Sequence, residues 1–89
     1  QEVSMAVEEE IGTVNDFFAR PVVAGIELTG TVKVGDTVHI KGHSTDITMV
    51  VESMEINNVK VQVANAKDSV GLKVPDRVRR GDRVYLVKE

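Results

Sequence analysis

At 89 residues the chain is one small domain, a size at which folding buries little more than about 60 % of the surface that the unfolded chain exposes. With 42 % hydrophobic and 28 % charged residues, two prolines and no cysteine, it has the composition of a globular domain and excludes disulfides, thiolate metal sites and a cysteine nucleophile. Fourteen acidic against eleven basic side chains give a net charge of −3, which argues against general nucleic-acid binding. No apolar run approaches the ~20 residues of a membrane span and the amino end is acidic, so no membrane partner is expected and a cytoplasmic location is the simplest reading.

Residues 1–8 lack periodicity and are read as a tail or a loosely attached first strand, with residues 9–89 forming a single domain. Valine dominates the apolar content, and a β-branched side chain suits a pleated strand better than a helix. Residues 9–18 read as a strand, with Gly12 suggesting a bulge. Pro21 falls at the start or edge of the next strand, which begins at Val22 and closes at Thr29 and Gly30. Gly35 and Asp36 signal a turn into 37–41, where Val38 and Ile40 point inward and His39 outward. The parity of 46–56 is inconsistent, because Ile47, Met49 and Val51 are odd while Met54 and Ile56 are even. A one-residue slip exchanges the faces of a strand, so a bulge or bend is predicted near Glu52 and Ser53.

Asn57 and Asn58 tolerate positive φ and predict a tight hairpin into Val59, Val61 and Val63. Val70, Leu72 and Val74 then alternate with Gly71 on the opposite face, and Pro75 ends that strand. A charged loop over 76–81 precedes a last strand whose inward residues are Val84 and Leu86. No segment carries a helical stripe, and short strands at this spacing indicate a small barrel or sandwich.

Three blocks carry a family resemblance. The first comprises Val22, Val23, Gly25, Gly30, Lys33, Val34, Gly35, Asp36, Val38, Ile40 and Gly42. The second is Ala64, Lys67, Asp68, Val70, Gly71 and Leu72, and the third Arg80, Gly81, Asp82 and Val84. In order and spacing they resemble the second domain of the translational GTPases, the β-barrel that follows the nucleotide-binding domain in elongation factor Tu and its relatives. The resemblance implies an all-β fold: a small, closed or nearly closed antiparallel Greek-key-type barrel of about six to seven strands. Lys67 departs from it, standing where that family has glycine. There is no G-x-x-x-x-G-K-S/T sequence, so no nucleotide triphosphate is expected as a ligand.

The resemblance implies a non-catalytic module that binds RNA or a ribonucleoprotein surface, ribosomal RNA or tRNA. Arg77, Arg79, Arg80 and Arg83 are the candidate RNA-binding residues, since guanidinium binds phosphate bidentately. Phe18 or Phe17, on opposite sides of one strand, could stack on a base. The alternative is a protein-interaction or accessory domain, freestanding or detached from a larger enzyme, because similar barrels occur at the carboxyl end of some collagenase-like peptidases. Flavin binding on a related barrel would need R-x-Y-S/T, and Arg83, Val84, Tyr85 and Leu86 lack its hydroxyl residue. His39 and His43 have no partner at metal-binding or triad spacing, and Asp36 and Asp82 read as turn caps. No catalytic residue, cofactor or metal is expected.

Overall fold

The structure, a computed structural model, describes residues 7–20 and 22–88. Valine-rich alternation gives ten strands among them: β1 (Val7–Ala19), β2 (Val22–Leu28), β3 (Val32–Lys33), β4 (Thr37–Lys41), β5 (Asp46–Val50), β6 (Met54–Ile56), β7 (Val59–Val61), β8 (Val63–Ala64), β9 (Ser69–Lys73) and β10 (Arg83–Lys88). The described residues contain no helix. β1 begins at Val7, inside the segment expected as a tail. Residues 1–6, the rest of that tail, lie outside the described residues, as does Pro21.

Every ladder is antiparallel, and eight strands form one sheet in the order β5-β4-β10-β1-β2-β9-β6-β7 beside a short β3-β8 ribbon. That order is open, so the ladders do not close the expected barrel. The ends of the sheet instead meet one irregular segment. The Val34 N–H donates to the Gln62 carbonyl just past β7 at 2.9 Å, and the Gly35 N–H donates to the Val51 carbonyl just past β5 at 2.9 Å. The Val51 N–H returns a bond to the Asp36 carbonyl at 2.8 Å.

Ten strands replace the six or seven expected because residues 46–56 divide rather than bend, residues 59–64 form two strands, and Val32–Lys33 adds the short β3. β5 pairs with β4, whereas β6 pairs with β7 and β9 at the far side of the sheet. The parity break at Glu52 and Ser53 therefore marks a crossing between the two ends of the sheet, with Val51 and Met54 buried on either side of it. The hairpin at Asn57 and Asn58 forms as expected, both residues having positive φ (53° and 65°). Of the valines that follow the hairpin, Val61 packs toward the core, while Val59 on the edge strand β7 and Val63 on β8 are exposed.

β1 is the spine of the sheet, pairing with β10 through residues 7–13 and with β2 through residues 12–19. Two register shifts let it serve both. The first lies between Glu10 and Gly12, at Ile11 rather than at Gly12 itself, and the second between Val14 and Asp16. A bulge leaves one residue outside the ladder, and here each turned-out carbonyl finds another donor. The Ile11 carbonyl accepts from the N–H groups of Thr29 (2.7 Å) and Gly30 (3.1 Å), and the Asn15 carbonyl accepts from Arg80 Nε (3.0 Å). Inside the curve, Ile11, Val14, Ile26, Val38, Ile40, Met54, Leu72 and Val84 are almost fully buried and form one core.

Three turns share one design. In 33–36, 65–68 and 79–82 the last residue is aspartate, its N–H donates to the carbonyl of the first residue (3.0, 3.0 and 3.1 Å), and its Oδ2 accepts the first residue's N–H (2.9, 2.8 and 2.9 Å). The third residue has positive φ: Gly35 at 98°, Lys67 at 78° and Gly81 at 90°. A four-residue turn of this kind demands that conformation at its third position, so the absent glycine at Lys67 leaves the turn shape unchanged and adds strain. An L-residue held there costs about 1–2 kcal/mol. Lys67→Gly is therefore expected to stabilise the domain by about 1 kcal/mol after glycine's greater freedom in the unfolded chain is allowed for, a rise of roughly 5 °C in melting temperature. Gly81→Ala should move it the other way, and thermal melts followed by circular dichroism check both.

Candidate functional site

The arginine stretch is anchored by a buried residue. Val78 is packed into the core, so its neighbours Arg77 and Arg79 are thrown outward. From there three of the four arginines run back onto β1. The Arg77 guanidinium lies 5.7 Å from the centre of the Phe17 ring, Arg80 Nε donates to the Asn15 carbonyl at 3.0 Å, and an Arg83 amine lies 3.2 Å from both Glu10 carboxylate oxygens. The guanidinium of Arg79 makes no ion pair or hydrogen bond with the described residues, although its backbone N–H caps the 79–82 turn through Asp82. The sequence-predicted cluster is thus spread along β1 from Phe17 to Glu10 instead of converging on one point. Exposed pairs of this kind contribute about 0–1 kcal/mol each, and together they tie the loop to the spine.

His39 has hydrogen-bonding partners that its spacing in the sequence does not name. It stands on the outer face of β4, with Nδ1 2.6 Å from Glu8 Oε2 on β1 and Nε2 2.5 Å from Asp46 Oδ1 on β5. Hydrogen bonding to Glu8, then to Asp46, holds the imidazole pKa above its ordinary 6.5, against a smaller opposing effect of burial. The two ring nitrogens point apart, so the carboxylates sit on opposite edges and converge on no common point. Lys41 adds a 3.9 Å approach to Glu8 and lies 5.5 Å from the centre of the Tyr85 ring. Spacing could not reveal this group, because Glu8 and His39 meet only through the β1-β10-β4 order. Among the described residues no group of three or more His, Cys, Asp or Glu is arranged to hold a metal ion.

A third feature lies on the outer face of β1, β2, β9 and β6, a concavity of about 580 Å³. Its floor is the facing pair Gly25 and Gly71, and register places Asp16 beside Gly25 and Glu55 beside Gly71. The row therefore reads Asp16, Gly25, Gly71, Glu55 across four strands. Phe17 turns toward the core while Phe18, 52 % exposed, stands as a wall of the concavity with Val23. The alternation of the two phenylalanines was legible in the sequence; the glycine trough was not, since it needs the β2-β9 register.

No family model matches the chain. Over 81 residues, 90 % of its length, it is 47 % identical to an uncharacterized protease of Methanocaldococcus jannaschii, and it spans only about 20 % of that relative. Two solved structures of the C-terminal domain of a Geobacillus thermoleovorans protein assigned to the U32 peptidases are similar in shape. One, a selenomethionine variant, superposes with a TM-score of 0.81 at 19 % identity, covering 85 % of this chain and 96 % of that one. The other gives 0.82 at 18 % identity, covering 88 % and 91 %. The chain has the fold of that C-terminal domain. No helix among the described residues is long and apolar enough to cross a membrane.

These likenesses overturn the resemblance to the second domain of the translational GTPases, and with it the elongation-factor and ribosome reading. The physical reason lies in the blocks that carried the resemblance. Lys33 to Asp36, Lys67 with Asp68, and Arg80 to Asp82 all belong to the aspartate-capped turns, so they report a local backbone need that is met in more than one family.

The His39 bridge gives a prediction with a definite sign. A histidine whose pKa is raised in the folded state contributes stability that is fully present below the unfolded value near 6.5 and is lost as pH rises through the folded value. The melting temperature should therefore fall as pH rises from about 6.5 through the raised folded value in the parent chain. His39→Gln should flatten that fall, as checked by calorimetry across the range; an unchanged slope in the variant would remove His39 as its source.

Proposed function

We propose that the chain serves as a non-catalytic accessory domain of a larger, U32-peptidase-like protein in the cytoplasm, docking on protein rather than on nucleic acid. The observation that carries this reading is the 47 % identity over 81 residues to a protease of which the chain spans about a fifth. A segment so small beside its relative, with the shape of a C-terminal domain, fits an attached module better than a complete enzyme. The electrostatics agree with it. The net charge is −3, and three of the four arginines expected on phosphates are already in contact with β1, which leaves Arg79 to attract a polyanion. The imidazole of His39 has a carboxylate on each nitrogen, which leaves neither free for general-base work. The curl that brings both ends of the sheet to residues 34–36 supports, as part of the same reading, a nearly closed barrel around the core.

The relative itself supplies the test. The Methanocaldococcus jannaschii protease lacking its matching 81-residue segment should bind this chain added in trans and co-elute with it in size-exclusion chromatography, whereas the intact protease should bind it much less. The chain alone should leave fluorescein-labelled casein uncut. Affinity for a structured RNA that drops about a thousandfold or more between 50 and 200 mM salt, without binding to the truncated protease, would reverse the choice of partner.

A further inference from the structure

The open sheet leaves one of its edges bare, and that edge indicates how the accessory domain docks. We infer that the outer edge of β5 receives an extended strand from the remainder of the U32-peptidase-like protein, a proposal that rests on the docking reading above. The direction of the backbone groups on β5 follows from its ladder. At the two ends of that ladder the Gly42 N–H donates to the Thr45 carbonyl at 2.8 Å and the Val51 N–H donates to the Asp36 carbonyl at 2.8 Å. Between them the register runs from Lys41 with Asp46 to Thr37 with Val50 without a shift. Bonded and non-bonded pairs alternate in an antiparallel ladder, so Ile47 and Met49 bond to β4 while Asp46, Thr48 and Val50 turn their N–H and C=O groups away from it. β5 ends the sheet, and none of those groups has a backbone partner among the described residues.

A bare edge is a template for another strand, and native proteins blunt the edges they leave free with lysine, proline, a bulge or very short length. The opposite end of the sheet is blunted in this way. β7 is three residues long, and the residue that the same alternation turns outward is Lys60. β5 has five residues, an unbroken register and neither lysine nor proline. Its one charge, Asp46, is held by His39. At the Val50 end of this edge lies a groove of about 380 Å³, lined by Met49, Val50, Glu52, Lys73, Val74 and Pro75. Glu52 and Lys73 are of opposite sign, so the groove selects for apolar contact rather than for an ion. A strand laid along β5 gains up to about six backbone hydrogen bonds at Asp46, Thr48 and Val50 and seats one apolar side chain in the groove. Size decides the occupant. A second copy paired through β5 would join five residues on each side, far short of the ~20–30 a side of a stable interface. The chain spans only about 20 % of its Methanocaldococcus jannaschii relative, and a strand from the other four fifths or so is covalently linked, so its high effective concentration makes a short ladder sufficient.

The edge can be altered without touching the ladder. Thr48→Pro removes one outward N–H and leaves every bond to β4 in place, a substitution that an edge strand tolerates. Val50→Lys sets a charge on the rim of the groove, at a side chain that is 52 % exposed. Amide hydrogen exchange of the ¹⁵N-labelled chain is followed alone and with the truncated Methanocaldococcus jannaschii protease. Alone, the Thr48 and Val50 amides should exchange about tenfold or more faster than those of Ile47 and Met49. In the complex they should slow by about tenfold or more while the Lys60 amide stays unchanged. Both variants, with amide spectra as dispersed as the parent's, should bind the truncated protease about tenfold or more weakly. A complex in which the Thr48 and Val50 amides exchange as in the free chain, or unchanged affinity in either folded variant, would leave docking standing and overturn the edge. Protection of the same amides in the chain alone, rising with its concentration, would overturn the assignment by making a second copy the occupant. If no complex forms, the docking reading falls and takes the strand from the protease with it.

Discussion

The bond from an aspartate carboxylate to the backbone N–H three residues earlier recurs in all three turns, at 33–36, 65–68 and 79–82. It is the constraint on which the curved sheet depends. Each turn delivers a donor or acceptor to a place where the ladders fail. The 33–36 turn supplies the Gly35 N–H and Asp36 carbonyl to Val51, the 65–68 turn gives the Lys67 N–H and Asp68 carbonyl to Leu28, and the 79–82 turn gives the Gly81 N–H and Asp82 carbonyl to Val14. The turns thus complete the hydrogen bonding of β1, β2 and the end of β5 where no strand can. Asp82 is 5 % exposed, and a buried carboxylate is tolerable only where its lone pairs are used. It also lies where a Cβ on Gly42 would fall, so the glycine there makes room for the cap.

Much of this was legible because it is local. The β4 alternation, the asparagine hairpin, the Val70-Leu72-Val74 face and the capping roles of Asp36 and Asp82 depend on residues within four or five positions of one another, and each holds. The parts that were not legible are matters of register. Nothing within 46–56 says that the parity break sends the chain to the opposite end of the sheet. Nothing near Val59 says that its strand ends the sheet, and nothing near Glu8 or Gly25 names His39 or Gly71 as a neighbour.

The error over family has the same root. Glycine followed by aspartate, after two residues, is what backbone geometry requires of this turn, and the requirement is indifferent to ancestry. Lys67 makes the point in reverse. It lacks the glycine, adopts φ of 78° anyway, and keeps the aspartate at 68 that closes the turn. The carboxylate cap is therefore the more stringent part of the pattern and the glycine the easing part. A resemblance resting on such blocks identifies an all-β scaffold with strongly curved connections, and it carries no information about the surface between them.

That surface is divided by β1. On one side of the spine, Arg77, Arg80 and Arg83 lie back on Phe17, Asn15 and Glu10, which spends cationic reach on the chain itself. On the other side, Asp16, Glu27 and Glu55 face outward with no ion pair among the described residues, and Lys60 stands opposite Glu55. The bulge at Asn15 links the two: the shift that frees the Asn15 carbonyl for Arg80 also seats Asp16 beside Gly25. One inserted residue thus draws a positive side chain from the loop onto β1 and seats a negative one beside Gly25.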